Sequence, residues 1–510
     1  MPHDAAGGHL RAAGTLVFPL ISSSLSAVNP QELDCIIHSA SILFDWWYFM
    51  KLRSKKLPPG PSPWPIVGTI PQVAKHGGGV TKLSQTLQGK YGKIHTLWLG
   101  RRPMIFVNDP ELTHDALVKQ GIYFSNRVKL SSFGLITNGW KTLATTEGSM
   151  TVALRKNIMT HMLGPSRLKA FKPLRDRAYD AVISDVKSAV GEDGVAQVHL
   201  RSVVYERIFR FVLALSFGVE LEENITKEII SVLTERFYLA FKFSIGDYIS
   251  LLKVFEGKHR NRLKQHQQRL EELFAPIMER LRRLQGDQGV ISGNYCETLF
   301  QLEKDFPELN DSVITSLCSE FLNGAVHTTS LAVDNTMCLL CEHPQVQERL
   351  YQEIEAVVGK RAVDESDLPE LPYLSAVVRE SLRIKSPAAT SLPHATSELR
   401  KLGGYDIPTD AVVLFGLESF HHDPSRWLEP SVFNPERFLE NDLDILGTQN
   451  FSFLPFSAGR RVCPGSQLAV LEISVFVARM VQTFEWEKAT DAKNVQASVG
   501  TALRARPRSV

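Results

Sequence analysis

A ten-residue segment near the C-terminus constrains this chain most, because it surrounds one cysteine with residues that shape a tight loop. The segment, FSAGRRVCPG, spans residues 456–465. Gly459 and Gly465 let the backbone approach a neighbour closely or adopt positive φ. Pro464 stiffens the turn that follows Cys463. The pattern therefore predicts a rigid loop that presents a single thiol.

Two arginines beside the thiol favour its thiolate form. Arg460 and Arg461 place positive charge next to Cys463, and positive charge lowers the pKa of a thiol. Zinc and iron–sulfur sites need several ligands at close spacing, whereas haem iron needs one protein ligand and accepts cysteine. No second cysteine lies near this segment in the sequence. The loop predicts a haem ligand, and the alternative is a buried structural cysteine.

The segment resembles the haem-binding signature of the cytochrome P450 family, Phe-x-x-Gly-x-Arg-x-Cys-x-Gly. Every fixed position matches, at Phe456, Gly459, Arg461, Cys463 and Gly465. The resemblance extends from about residue 58 to the C-terminus. It implies a mainly α fold with small β-sheets, a single large catalytic domain, and haem b whose iron is ligated by Cys463. It also implies a monooxygenase that uses O2 and electrons from NADPH-cytochrome P450 reductase.

Composition narrows the class of protein further. The chain has 510 residues, of which 44% are hydrophobic and 22% are charged, as is typical of globular proteins. Its formal net charge of +2 gives no reason to expect nucleic acid as a partner. Six irregularly spaced cysteines are too few for a disulfide framework, so we expect the bulk of the protein to face a reducing compartment.

The N-terminal region predicts a membrane anchor and a hinge. Within residues 1–57, residues 35–50 are the candidate anchor, short for a membrane span but rich in interfacial Trp and Tyr. Basic residues follow, which places the main domain on the cytosolic face of the endoplasmic reticulum or on the plastid outer envelope. The alternative is a buried or peripheral apolar helix. Proline-rich residues 58–66 predict a stiff hinge, and residues 67–510 the haem-binding catalytic domain.

Patterns after the hinge predict helices and a few strands. Residues 95–99 and 104–107 flank a Gly-containing turn and predict a β-pair. Residues 166–284 are mostly helical in pattern, and residues 254–285 predict a long amphipathic surface helix. Residues 317–340 predict one long apolar helix. The resemblance implies that Ser125–Ala144 forms a roof loop and Ala388–Leu392 a strand edge over the haem.

The long helix carries Gly-Ala-Val-His-Thr-Thr at residues 324–329. Glycine costs a helix about 1 kcal/mol, and threonine hydroxyls compete for backbone carbonyls, so this composition indicates a function. The stretch resembles the family's oxygen-activation motif, in which an acid and a threonine deliver protons. Thr328 falls on the catalytic threonine, Ala325 replaces a glycine, and His327 replaces the acid.

Two hypotheses follow for His327. In the first, His327 relays protons in a working monooxygenase, because imidazole titrates near neutral pH. In the second, oxygen activation is weak or rerouted, because histidine supplies no fixed negative charge. The retained pair of hydroxyls, Thr328 and Thr329, favours the first hypothesis.

A second constellation is expected to be structural. Glu380 and Arg383 are spaced (i, i+3) on a predicted helix, so both side chains lie on one face. They match the family's Glu-x-x-Arg pair, which is buried with an arginine from a later segment, here Arg437. The resemblance implies that this triad locks the scaffold behind the haem.

The haem carries propionate groups that need cations. The resemblance assigns this role to Arg461, to His394 and to Arg155. Thr151 stands where most of the family has a tryptophan, which makes Arg155 the weaker candidate. The alternative for Arg155 is a solvated surface arginine.

The roof and strand-edge segments are mostly apolar or small, which favours a hydrophobic substrate such as a terpenoid, sterol or fatty acid. Several stretches resemble plant ent-kaurene oxidases, among them residues 128–131, 143–147, 161–164, 402–408 and 484–486. That resemblance implies membrane-bound, stepwise oxidation of ent-kaurene to ent-kaurenoic acid in diterpenoid (gibberellin-type) biosynthesis. The competing classes are a haem-thiolate isomerase or dehydratase and a non-catalytic haem-binding relative.

Overall fold

Apolar residues at helical spacing dominate the chain, and they build a mainly α-helical protein around one large core. The computed structural model describes residues 55–77, 79–283, 293–440, 443–445, 451–489 and 502–508. The candidate anchor, residues 35–50, lies outside these residues. Within the described part, no helix combines the length and the hydropathy that crossing a membrane requires.

The helices are numbered here in chain order. They are α1 (Ile70–His76), α2 (Gly79–Tyr91), α3 (Pro110–His114), α4 (Ser131–Ile136), α5 (Gly148–Ile158), α6 (Pro165–Ala170), α7 (Lys172–Ser188), α8 (Leu200–Phe217), α9 (Glu223–Phe241), α10 (Gly257–Arg283), α11 (Tyr295–Glu303), α12 (Asp311–Glu342), α13 (Pro344–Val358), α14 (Pro372–Ile384), α15 (Leu417–His421), α16 (Glu436–Glu440) and α17 (Ser466–Thr483). Short π-helical turns continue α3 and α5, and 3-10 turns cover Ile245–Asp247, Ser250–Glu256, Glu365–Glu370 and Gly459–Arg461.

The strands form three small sheets. They are β1 (Ile94–Leu99), β2 (Arg102–Val107), β3 (Asn126–Arg127), β4 (Ala196–His199), β5 (His394–Ala395), β6 (Arg400–Leu402), β7 (Tyr405–Ile407), β8 (Val412–Phe415), β9 (Phe484–Lys488) and β10 (Ala502–Pro507). The sheet orders are β1-β2-β8-β5-β3, β4-β10-β9 and β6-β7. All pairs are antiparallel except β2 with β8. The predicted β-pair is confirmed as β1 and β2, which turn at Gly100 with a φ of +58°.

The long apolar helix predicted for residues 317–340 is confirmed as part of α12, which is longer at both ends. It begins where the side chain of Asn310 accepts a hydrogen bond from the Val313 amide, and it ends just before Pro344. Most of its residues are buried, and it packs against α8, α14 and α17. The predicted surface helix is confirmed as α10, preceded by a 3-10 turn. Thus α12 is the central element of the main core.

Two segment predictions need correction or refinement. Ala388–Leu392 is irregular and not a strand. Its backbone groups form single hydrogen bonds and no ladder with a neighbouring strand; for example, the Ser391 amide donates to the Phe415 carbonyl at 2.9 Å. The proline-rich hinge lies along β1, where the Thr96 amide donates to the Pro59 carbonyl at 2.8 Å. A Cβ at Gly60 would lie 1.9 Å from the Thr96 carbonyl oxygen, so this close approach requires glycine.

The predicted Glu380–Arg383–Arg437 contact is present. Nε and Nη2 of Arg383 donate to the two carboxylate oxygens of Glu380 at 2.7 and 2.8 Å, and both side chains are fully buried. Nε of Arg437 donates to the same carboxylate at 3.3 Å. Arg383 also donates to the carbonyls of His421 and Pro430, so the pair ties α14 to the segments that precede the cysteine loop.

Loss of the Glu380 charge is expected to destabilise the fold strongly. Glu380→Gln leaves Arg383 buried without its counter-ion, and such a change typically costs 3–5 kcal/mol, here about 4 kcal/mol. Glu220→Gln is the control, because Glu220 pairs with Arg177 at 3.3 Å on the surface and surface pairs contribute under about 1 kcal/mol. Urea unfolding measures both. Equal midpoints for the two variants would contradict the structural role.

Candidate active site

The cysteine loop is closed by one backbone hydrogen bond and one glycine contact. The Cys463 amide donates to the Phe456 carbonyl at 3.0 Å, which fixes the two ends of the loop. Gly459 has a φ of +70°, and a Cβ there would lie 2.1 Å from the Leu117 carbonyl oxygen. Both properties predicted for Gly459 are therefore present. Ser457 also adopts positive φ, +61°, a strained conformation for a residue with a side chain.

Gly465, the second glycine of the loop, differs from Gly459. Its φ is −88°, so the alternative of a left-handed backbone is wrong there. A Cβ at Gly465 would meet no protein atom within 4 Å, so this side of the loop is open. Cys463 itself has a raised pKa because it is buried; the Gly465 amide and Arg155 act in the opposite direction. Arg155, which was not predicted for this role, therefore contributes charge that favours the thiolate.

Guanidinium groups converge beside the loop. Nη2 of Arg155 donates to the Val462 carbonyl at 2.7 Å. Arg461 donates to the carbonyls of Ser125, Leu143 and Thr146 at 2.8, 3.0 and 2.5 Å. Burial lowers the pKa of both guanidinium groups. Arg155 is therefore not a solvated surface residue, and both arginines lie where the sequence predicted cations.

Arg127 joins this group and was not predicted. It donates to the carbonyls of Ala144, Leu392 and Pro393 at 3.0, 3.0 and 3.3 Å. Burial, with a smaller contribution from the charge of Arg461, lowers its pKa to about 9. Arg127 and Arg461 are 334 positions apart in the sequence, so their proximity is visible only in the folded chain.

His394 reaches the same region but is held as a neutral ring. It is 1% exposed, and its Nδ1 lies 2.7 Å from the Phe124 carbonyl, an acceptor. Its pKa lies well below the usual value, because the ring is buried and because Arg127 and Arg461 repel a further charge. Burial and the neighbouring arginines thus favour the neutral ring of His394 in the protein alone, its role toward a propionate stays a prediction, and Arg127 is a further cation beside Arg461.

One face of α12 carries exposed residues, and we call the space in front of this face the chamber. Gly324 and Thr328, one helical turn apart, are exposed although most of the helix is buried. A Cβ at Gly324 would meet no protein atom within 4 Å outside the helix. The Thr328 hydroxyl donates to the Gly324 carbonyl at 2.7 Å, which weakens the regular helical bonding of that carbonyl. The hydroxyl therefore lies at the chamber wall, as predicted.

His327 lies on a different side of the helix. Its ring is 4% exposed and stacks on Phe237 of α9, with 4.0 Å between centroids and a 14° interplanar angle. Its Nε2 is 3.3 Å from the Tyr205 hydroxyl, which lies 3.0 Å from the Thr234 hydroxyl. Burial, with a minor contribution from Arg201, lowers the pKa of His327 to about 4. The side chain is thus neutral at physiological pH and joins α8, α9 and α12.

A chain of contacts links the cysteine loop to the chamber. Arg461 binds the carbonyls of Leu143 and Thr146, and the Leu143 amide donates at 2.8 Å to Glu320, which lies one turn before Gly324 on α12. Sequence reasoning missed Glu320, although its (i, i+4) spacing to Gly324 was a signal. The loop and the open face of α12 therefore border the same region.

The residues present fit a haem. The open side of Gly465 next to Cys463 leaves room for a group bound to the sulfur. The buried guanidinium groups of Arg127, Arg155 and Arg461 suit its two carboxylates. The Thr151 hydroxyl, where most of the family has tryptophan, is buried without a hydrogen-bond partner, which leaves one polar atom for the cofactor or a water molecule.

Comparison with known proteins is consistent across methods. A family model described as Cytochrome P450 matches residues 58–510. The chain is 30% identical over 447 residues to cytochrome P450 98A1 of Sorghum bicolor, covering 86% of each chain. It is 32% identical over 469 residues to cytochrome P450 89A9 of Arabidopsis thaliana, covering 86% of this chain and 90% of the relative. It is 30% identical over 451 residues to a trans-cinnamate 4-monooxygenase of Zinnia elegans, covering 86% and 89%.

A solved structure gives the fold. A zebrafish cytochrome P450 with abiraterone matches with a TM-score of 0.70, at 24% identity, and covers 84% of this chain and 99% of that chain. At this identity the match establishes the architecture. The predicted mainly α fold with small β-sheets in a single large domain is confirmed.

The buried imidazole is expected to make stability depend on pH. The pKa of His327 is about 4 when folded and near 6.5 when unfolded, so the unfolded chain binds the proton more tightly. The contribution of His327 is complete above pH 6.5 and is lost as pH falls towards 4. Between pH 7.5 and 4.5, the wild type should lose about 2.5 kcal/mol more than His327→Phe.

Urea unfolding at the two pH values measures this difference. His161→Phe, at an exposed position, is the control and should follow the wild type. If His327→Phe and the wild type lost equal stability, the imidazole would titrate normally and the neutral assignment would be wrong.

Proposed function

We propose a reaction for this protein from one premise: the chain belongs to the cytochrome P450 family. The protein is accordingly a haem-thiolate oxidoreductase, a monooxygenase with Cys463 as the candidate iron ligand. The haem supplies the oxygen-activating chemistry when bound, and the polypeptide supplies the ligand, the proton route and the chamber. The substrate, the roles of individual residues and binding to a membrane are proposed below from the structure and the sequence.

We assign the proton route to Thr328 and His327. The observation that carries this assignment is the Thr328 hydroxyl, which lies on the open face of α12 while the residues around it are buried. His327 extends the route through the Tyr205 and Thr234 hydroxyls. A neutral imidazole can accept a proton at Nε2 and release one at Nδ1, so its low pKa does not prevent a relay.

The cofactor contacts follow from the geometry of the cation group. Arg461, Arg155 and Arg127 would hold the haem carboxylates, and Gly459 and Gly465 would let the loop approach the ring. Phe456 would keep the loop closed through its carbonyl. Electrons would come from NADPH-cytochrome P450 reductase.

The proposed substrate is a hydrophobic small molecule, and ent-kaurene is the first candidate. The chamber presents small or apolar groups, including Gly324, Ala325 and Leu392, whose side chain is 45% exposed. The choice of ent-kaurene rests on the sequence stretches that resemble ent-kaurene oxidases. The alternatives are another terpenoid, a sterol or a fatty acid. Relatives carry names for other substrates, such as trans-cinnamate and isoflavone, so both are comparison substrates.

The isomerase or dehydratase alternative makes a different demand on the site. Such an enzyme needs neither O2 nor a reductase, and therefore needs no proton route to the iron. The Thr328 hydroxyl at the chamber wall favours the monooxygenase, and a requirement for O2 and NADPH separates the two classes. The non-catalytic alternative would bind haem without turnover.

Reconstitution with reductase, NADPH and ent-kaurene should give ent-kaurenoic acid with O2 consumption. Thr328→Ala should lower product formed per NADPH about tenfold or more, because a positioned proton donor typically contributes at least that factor. His327→Phe keeps the stack on Phe237 and removes the relay nitrogens, so a similar loss supports the relay. Mass spectrometry of products and NADPH absorbance measure both.

The control is Cys463→Ser, whose reduced carbon monoxide complex should lack the thiolate absorbance band. If His327→Phe formed as much product per NADPH as the wild type, the relay hypothesis would be wrong. The second hypothesis, that oxygen activation follows another route, would then stand. If the wild type oxidised trans-cinnamate but not ent-kaurene, the proposed substrate would be wrong and the proposed reaction class would stand.

We further propose that the protein binds a membrane surface. Large apolar side chains are exposed near the start of the catalytic domain and in the segment between α9 and α10: Trp64, Ile66, Phe241, Phe243, Val254 and Phe255, each between 51% and 80% exposed. The two groups are neighbours, because Gly100 contacts the Tyr248 carbonyl while Gly68 pairs with Leu99. Trp64 and Ile66 follow the candidate anchor in the sequence by fewer than twenty residues, which supports a bilayer as the occupant.

Vesicle flotation should detect this patch. A chain lacking residues 1–54 should still float with phosphatidylcholine vesicles, and Val254→Ser with Phe255→Ser should lower the vesicle partition constant about a hundredfold, since burying two apolar side chains contributes about 3 kcal/mol. Leu428→Ser is the control, because Leu428 is 80% exposed beside the Glu380–Arg383 pair. Equal binding by all variants would contradict a role for the patch.

A further inference from the structure

Glu320 is a partly buried carboxylate that the proposed proton route does not use. It lies on α12 at positions i−4 and i−8 from Gly324 and Thr328, which places it on the chamber face of the helix. Its side chain is only partly exposed there. Desolvation raises its pKa, and hydrogen bonds from Thr142, Ala144 and Leu143 act in the opposite direction.

The carboxylate of Glu320 holds two consecutive backbone amides. Oε2 accepts from the Leu143 amide and Oε1 from the Ala144 amide, each at 2.8 Å. The Thr142 side chain is a third donor. These three residues are the last of the predicted roof loop and begin the 142–147 segment, which leads into α5. Hydrogen bonds to an ionised acceptor are about twice as strong as neutral ones.

Arginines hold carbonyl groups of the same short segment. Arg461 donates to the carbonyls of Leu143 and Thr146, and Arg127 donates to the carbonyl of Ala144. The segment is therefore held between a negative charge on α12 and positive charges at the cysteine loop. The Leu143 carbonyl and the Ala144 amide form one peptide group, whose positive end points at Glu320 and whose negative end points at Arg461, so these two charges favour one position of the segment.

We propose that Glu320 is a positioning residue that fixes the 142–147 segment at the edge of the chamber and thereby determines which large ligands the chamber accepts. Without this carboxylate, two buried amides lose their acceptor and the segment can shift relative to α12. The proposal rests on the proposed function only in placing the substrate in the chamber.

A matched control exists elsewhere in the chain. Glu353 of α13 accepts hydrogen bonds from two consecutive amides, Tyr373 and Leu374, at 2.7 and 2.9 Å. Its pKa is likewise raised by desolvation. These amides begin α14, away from the 142–147 segment. Glu353→Gln therefore repeats the chemical change of Glu320→Gln at a site that serves structure alone.

Amide hydrogen exchange on the ferric holoprotein, read by mass spectrometry, tests the position of the segment. In Glu320→Gln, peptides covering residues 142–147 should exchange about tenfold faster, because one charged hydrogen bond contributes at least 1.4 kcal/mol. In Glu353→Gln, these peptides should stay within twofold of wild type, and peptides covering residues 371–376 should speed up. Equal rates for residues 142–147 in both variants would overturn the proposal.

Azole titration, followed by the shift of the haem absorbance band, tests ligand selection without the natural substrate. Clotrimazole is a bulky azole that would extend from the iron into the chamber, whereas imidazole would contact the iron alone. Glu320→Gln should weaken clotrimazole binding about tenfold and leave imidazole within twofold, and Glu353→Gln should change neither. Equal weakening of both probes would mean a general disturbance of the haem and would overturn the specificity role.

Should Glu320→Gln fail to accumulate as a folded protein, Thr142→Val provides a second variant. It removes one donor to the same carboxylate and keeps the charge. It should shift exchange and clotrimazole affinity in the same direction, by a few-fold. No shift in either measurement would overturn the proposal, whatever the natural substrate is.

Discussion

Guanidinium groups that are largely removed from water and hydrogen-bond to carbonyl oxygens are the constraint on which this active site depends. Arg155, Arg461 and Arg127 all donate to backbone carbonyls, and burial lowers the pKa of each. Carbonyl dipoles offset only part of the cost of removing a full charge from water. Arg383 shows the contrast, because a buried carboxylate neutralises it fully. The region beside Cys463 therefore favours an anionic group, which the haem carboxylates supply.

Replacement of the usual acid by His327 changes what this part of α12 does. A carboxylate in the same surroundings of Phe237 and Tyr205 would carry a charge with little solvent. The neutral imidazole instead stacks on α9 and bonds to α8, so the position gains packing and loses fixed charge. Proton movement there must then use neutral groups, namely hydroxyls and the two ring nitrogens.

The sequence was most informative where one residue type alone meets a local demand. Gly459, with its positive φ and its contact with the Leu117 carbonyl, and the apolar run that became α12 are of this kind. Arg127 and Glu320 are different, because their partners are backbone groups that only folding brings together. No local sequence pattern distinguishes them from other arginines and glutamates. The same reason explains His394: the position was recognised, but its neutral state depends on burial and on Arg127.

The 142–147 segment makes cofactor binding and chamber shape thermodynamically dependent on each other. Arg461 holds the carbonyl of Leu143 while Glu320 holds the amide of Ala144, and because these atoms form one peptide group, that group contacts both sides. An anion that attracts Arg461 alters its bond to that carbonyl, and a ligand that presses on the segment alters the bond to Glu320. Because coupling between two binding sites is reciprocal, a substrate that fits the fixed segment also strengthens haem retention. Large substrates should therefore protect the cofactor more than small ones.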